Sequence, residues 1–146
     1  MSMAPGVART PAVFRLWGVA VSNENRDITT TILGLRPVLP AIDHELSMRF
    51  YTDVGFKAEI LADGLAEIHL GSYSFLLQRY YVKEWADNSV IHLRVSDVRR
   101  WWDHIAKLDL PGRYGVKARP PQNEEWAVVV GITDPSGVLW RIFQTA

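Results

Sequence analysis

Two kinds of hydrophobic spacing alternate along the chain, and the alternation happens twice. RPVLPAID (36–43) is a short extended apolar run, and Pro37 and Pro40 suit it to a sheet edge because neither donates a ladder hydrogen bond. Asp43 then caps a predicted helix whose apolar residues Leu46, Phe50, Tyr51 and Val54 share one stripe before Gly55 closes it. KAEILA (57–62), LAEIHLG (65–71) and YSFLLQRYY (73–81) follow as strands, divided by the turn pairs Asp63-Gly64 and Gly71-Ser72. The order is βαβββ.

VIHLRVSD (90–97) restarts it with a strand ending in a second capping aspartate, Asp97. Val98, Trp101, Trp102, Ile105 and Leu108 form the stripe of the second helix. After a predicted loop at LPGR (110–113) come YGVKAR, EWAVVVGI and VLWRIFQ, the last two joined by the DPSG turn at 134–137. Asp97 lies 54 residues after Asp43, and Arg141 lies 63 after Gln78, so a longer loop in the second copy keeps an internal repeat in step. The predicted fold class is α+β: two tandem βαβββ modules, 35–82 and 88–146, in one domain spanning 35–146.

Residues 1–34 stand outside the repeat. Arg15 interrupts AVFRLWGVAV, so a secretory apolar region is poorly formed, and the segment is expected to be an N-terminal extension or an extra strand, although its acid-free start is similar to a transit peptide. Sixteen Lys and Arg balance sixteen Asp and Glu, which leaves no global field for nucleic acid or an anionic membrane. No apolar run reaches the roughly 20 residues that span a bilayer. Zero cysteines exclude thiolate chemistry and Cys-based zinc sites and are compatible with a reducing cytoplasm, the expected location. A nucleophile elbow and the common glycine-rich phosphate loops are also absent.

The doubled unit, the strand-Asp-helix openings, FYTDVGF at 50–56 and the closing DPSGVLWRI together resemble the vicinal-oxygen-chelate superfamily of glyoxalases, extradiol dioxygenases and bleomycin-resistance proteins. FLLQRYYVKEW and GVLWRIFQ are most similar to the bleomycin-resistance-like branch. The resemblance implies a mixed sheet cupping a cavity, and a homodimer. It also implies a metal-ligand set at the start of each module's first strand and the middle of its last. Those positions hold Arg36, Gln78, Val90 and Arg141 here. Two guanidiniums and a valine offer a divalent ion no lone pair, so neither a metal nor another cofactor is expected.

Period-2 alternation turns Leu139, Arg141 and Phe143 toward the cavity, with Val138, Trp140 and Ile142 toward the helices; Ser74, Leu76 and Gln78, and Val90, His92 and Arg94, face inward by the same count. A slip of one residue would reverse every assignment. His92 is the candidate for acid-base chemistry, or an ordinary wall histidine. His69 and Glu67 share a strand face, whereas His44 and His104 sit on predicted helices and are expected in solvent. Tyr80, Trp85 and Trp126 are candidate ring-covering residues, while Trp101, Trp102 and Trp140 are expected in the core.

These residues favour a small-molecule binding protein of the antibiotic-sequestering kind, with Arg36, Gln78, Tyr80, Trp85, His92, Arg94, Trp126 and Arg141 as candidate ligand contacts. The alternatives are a glyoxalase-type lyase or dioxygenase with a non-standard site around His92, and an interaction module without a small ligand. Inward guanidiniums need a carboxylate from the protein or from the ligand, which points to an aromatic ligand that is anionic or neutral, its acidic group expected on Arg141, rather than to cationic bleomycin. Protein purified without a histidine tag is expected to carry no stoichiometric Zn, Ni, Mn or Fe. Elemental analysis showing about one tightly held ion per chain, with activity lost to a chelator, would contradict this.

Overall fold

Both predicted aspartates start their helices. In the computed structural model of the protein, which describes residues 27–146 and the strands at 14–16 and 19–21, Asp43 and Asp97 accept from the backbone N–H of Leu46 and Arg100, each at 3.0 Å. The chain divides into two compact units, Met1–Leu35 and Arg36–Ala146. In the first, β1 (Phe14–Leu16) and β2 (Val19–Val21) pair antiparallel and a short 3-10 turn covers Ile28–Thr31. The expected transit-like start at residues 1–13 lies outside the described residues.

The second unit runs β3 (Val38–Pro40), α1 (His44–Val54), β4 (Lys57–Ala62), β5 (Leu65–Leu70), β6 (Tyr73–Gln78) and α2 (Lys83–Asp87). It continues through β7 (Val90–Arg94), α3 (Val98–Leu108), α4 (Leu110–Tyr114), β8 (Ala118–Asn123), β9 (Ala127–Thr133) and β10 (Leu139–Thr145). The strands make two four-stranded mixed sheets, ordered β3-β6-β5-β4 and β7-β10-β9-β8, in which only the β3/β6 and β7/β10 pairs are parallel. This is the predicted pair of βαβββ modules. Gly55 ends α1 with φ 119°, the left-handed conformation that glycine adopts without a Cβ penalty.

Three local expectations change. LPGR is a single helical turn, α4, because Asp109 caps it by accepting from the Gly112 N–H. β8 begins at Ala118 and carries Pro120 and Pro121 through a register shift between Arg119 and Gln122, so the predicted strand is displaced toward its C-terminus. His44, expected in solvent, is 5% exposed because its ring reaches Leu77 O at 2.9 Å, whereas His104 is exposed as expected and meets Val54 O at 2.6 Å.

The core lies between the sheets and helices and is built from both modules. Phe50, Tyr51, Val54, Ile68 and Leu77 come from the first, and Val98, Ile105, Val130, Trp140 and Ile142 from the second. Trp140 is buried as expected, and Trp101 and Trp102 are partly buried against the core cluster. One polar network crosses this core. Tyr51 Oη donates to Asp134 Oδ2 at 2.6 Å and accepts from Trp140 Nε1 at 3.0 Å. Asp134 Oδ1 also accepts the N–H groups of Ser136 and Val138, and Ser136 Oγ accepts the Ile42 N–H at 3.0 Å.

Burial pushes the Asp134 carboxyl above its ordinary value of 3.8 despite four donors that act the other way. A raised folded value means that Asp134's share of stability is fully present below 3.8 and is lost as the pH rises through that raised value. Tyr51→Phe would leave Asp134 short of a donor and Trp140 Nε1 without an acceptor, a loss of about 2–3 kcal/mol for two buried groups. Urea unfolding should show a lower midpoint at unchanged slope; a loss under about 0.5 kcal/mol would mean the network is dispensable.

Candidate functional site

Trp140 and Ile142 point into the core, so alternation along β10 turns Leu139, Arg141 and Phe143 to the opposite, open face of the second sheet. The expected parity holds. Pairing carries one row across all four strands: His92 on β7 lies beside Arg141, which lies beside Gly131 on β9, which lies beside Arg119 on β8. The flanking rows place Val90 beside Leu139 and Thr133, and Arg94 beside Phe143 and Val129. Gly131 leaves bare floor between two guanidinium-bearing positions about 10 Å apart, twice the spacing of neighbouring strands.

A cavity of about 380 Å³ opens over this floor. Val129, Gly131 and Leu139 form its apolar base, Arg141 and Glu124 one charged side, and Lys117 and Arg119 another. Arg141 Nη2 donates to Glu124 Oε2 at 2.5 Å. Glu124 belongs to the 124–126 turn, closed by its own N–H bonding Ala127 O, and the same turn brings Trp126 over the face. There the Trp126 ring lies 6.1 Å from His92, nearly parallel, and 5.0 Å from Phe143 edge-on, while His92 and Phe143 are 5.3 Å apart. His92 is exposed and makes no hydrogen bond among the described residues, and Arg94 donates to Thr145 Oγ1 at 3.0 Å.

Of the sequence-derived candidates, His92, Arg94, Trp126 and Arg141 therefore share one face. Gln78 belongs to the first sheet, and Arg36 lies in the segment just before β3. Arg36 pairs with Glu67 at 3.0 Å; Glu67 also accepts from Ser74 at 2.7 Å, and that bond holds its carboxyl below the usual range. Glu67 and His69 do share a face, and with Glu59 they form a compact group of ligand-type atoms. Its members are already engaged, His69 with Glu59 at 3.2 Å and Glu67 with Ser74 and Arg36. Tyr80 and Trp85 form a separate exposed pair, 6.0 Å apart, beyond β6, and neither lines the cavity.

Lys117, Arg119 and Glu124 are absent from the sequence-derived set. The two prolines interrupt the alternation that would have marked Arg119, and a turn residue such as Glu124 has no strand parity to read. The donor chemistry of Arg36, Gln78, Val90 and Arg141 does not suit a divalent ion, since two guanidiniums and a valine offer no lone pair and both arginines are given to carboxylates.

The fold is that of the glyoxalase/bleomycin-resistance/dioxygenase proteins. A bleomycin-binding protein from Streptomyces verticillus, solved with copper(II)-bleomycin, is 22% identical with a TM-score of 0.67, covering 80% of this chain and 98% of that one. An antibiotic binding protein from Streptomyces sp. CB03234 is 21% identical with a TM-score of 0.63 over 80% and 98%. A glyoxylase/bleomycin resistance protein/dioxygenase domain from Frankia sp. EAN1pec is 15% identical with a TM-score of 0.63 over 80% and 100%. No family model matches the chain, and no curated protein matches it in sequence.

The Arg141–Glu124 pair is partly solvated, with side chains 30% and 38% exposed, so it contributes little to folding. Arg141→Gln should shift unfolding free energy by less than about 1 kcal/mol. A loss well above that in urea titration would make Arg141 a structural residue rather than part of a site.

Proposed function

We propose that the protein binds and sequesters a small aromatic molecule on the open face of its second sheet. One observation carries the reading: the cavity over Gly131 adjoins the His92–Trp126–Phe143 ring cluster, and Arg141 stands between them. About 380 Å³ falls in the range of pockets that enclose small organic ligands, about 300–1,000 Å³. Flat rings contribute roughly 0.5–1.5 kcal/mol per aromatic pair beyond area burial. The solved structures of bleomycin-binding and antibiotic binding proteins support a binding role on this fold.

Binding rather than catalysis is favoured by the same geometry. Among the described residues His92 has rings as neighbours and no carboxylate or hydroxyl bonded to it, and Arg36 and Arg141 offer no metal-binding lone pair. The lyase or dioxygenase reading around His92 therefore ranks second. We further propose a cytoplasmic homodimer. The dimer is supported by exposed apolar side chains such as Val38, Ile60, Leu61 and Tyr73, and the location by the absence of cysteine. Among the described residues no helix is long and apolar enough to cross a membrane. Light scattering tests the dimer, and a clean monomer would reject it.

The ligand reading is tested with naphthalene derivatives followed by tryptophan fluorescence and calorimetry. Gly131 has room for a side chain, the nearest atom to an added Cβ being Arg119 Cβ at 3.9 Å, so Gly131→Val should fold normally yet reduce affinity at least about tenfold by filling the floor. His92→Ala should weaken binding by about 1 kcal/mol with stability unchanged. Micromolar bleomycin binding indifferent to Arg141 and Gly131 would return the chain to the bleomycin-sequestering class.

A further inference from the structure

The lining of the cavity carries more positive charge than its carboxylates compensate, and within that lining the surplus lies at one end. Arg141 is held by Glu124, and Asp87, at another edge of the cavity, is held by Lys83 at 2.5 Å. Lys117 and Arg119 line the same cavity, and neither side chain has a hydrogen-bond or ion-pair partner among the described residues. Both positions are fixed by their backbones. Thr133 Oγ1 accepts the Lys117 N–H at 3.0 Å and the Thr133 N–H donates to Lys117 O at 3.0 Å, while Arg119 is in register with Gly131 just before the shift at Pro120 and Pro121.

From this charge distribution we infer that the acidic group of the ligand docks at Lys117 and Arg119, and that Arg141, with its charge already balanced, serves as a wall and not as the anion's partner. The inference rests on the small-molecule reading above and extends it to the chemical class of the ligand: a flat apolar body with an oxyanion at the end remote from Trp126. An anion that chose Arg141 would first have to displace Glu124, exchanging one charge-assisted bond for another with little net gain. At Lys117 and Arg119 it forms such bonds without breaking any. A guanidinium beside an ammonium also accommodates either a planar carboxylate or a tetrahedral phosphate.

Calorimetry with 1-naphthoate and its neutral isostere 1-naphthalenecarboxamide separates the outcomes. The intact protein should prefer the acid at least about fivefold, and the K117Q/R119Q double variant should lose that preference while binding the carboxamide unchanged. Arg141→Gln should alter the preference by less than about threefold. Loss of the preference in Arg141→Gln, with the double variant still selective, would overturn the inference and leave the binding site in place. Equal affinity for acid and amide in the intact protein would do the same, because no acid subsite would exist. Binding of neither compound would overturn the inference together with the small-molecule reading. Since Lys117 and Arg119 are exposed, their replacement should leave the unfolding midpoint unchanged, and a normal carboxamide affinity serves as the internal check on folding.

Discussion

A single buried carboxylate joins the two halves of this fold. Asp134 closes its own turn through the N–H groups of Ser136 and Val138 and takes the Tyr51 hydroxyl from the helix of the other module, while Trp140 donates to that hydroxyl from the adjoining strand. Buried polar groups are costly unless each finds a partner, and a satisfied network of this kind admits one arrangement of the elements that supply it. Burial drives the Tyr51 hydroxyl well above its usual ionisation range, so it remains a proton donor to Asp134 at any ordinary pH.

The open face depends on that constraint through β10. Once Trp140 is anchored, strand alternation leaves Arg141 no choice of side, and pairing through β9 to β8 fixes where Gly131 and Arg119 fall relative to it. The turn that follows Asn123 adds the remaining parts by presenting Glu124 to Arg141 and Trp126 to His92. A charged wall, a bare floor and a ring cluster thus arise from one strand's register and one hairpin turn. Against the first sheet, by contrast, Arg36, Ser74, Glu67, His69 and Glu59 are engaged with one another.

Most of this architecture is legible in the amino-acid sequence. The aspartate caps, the glycine stop after Val54, the repeat spacing and the parity of Arg141 all follow from local stereochemistry acting within a few residues. What escaped depends on longer reach. A histidine on a helix reads as solvent-facing until a carbonyl of another strand meets it and the ring is buried, as happens where Leu77 O meets His44. Single helical turns such as α2 and α4 are too short to show a period. The two prolines of β8 hid Arg119, and Glu124 acquires its meaning only when Arg141 is opposite it in space. Tyr80 and Trp85, whose aromatic surface marks them in the sequence, are each other's neighbours and not the cavity's.

The central claim is that ligand binding belongs to the second sheet's open face. The most direct measurement is a backbone and tryptophan-indole NMR titration of the intact protein with 1-naphthoate. Perturbations clustered at Arg119, Gly131, Leu139 and Arg141 and at the Trp126 indole, with Arg36, Glu67 and Gln78 silent, are the predicted result. Shifts centred on the first sheet, with the Trp126 and Gly131 signals unmoved at saturation, would contradict it.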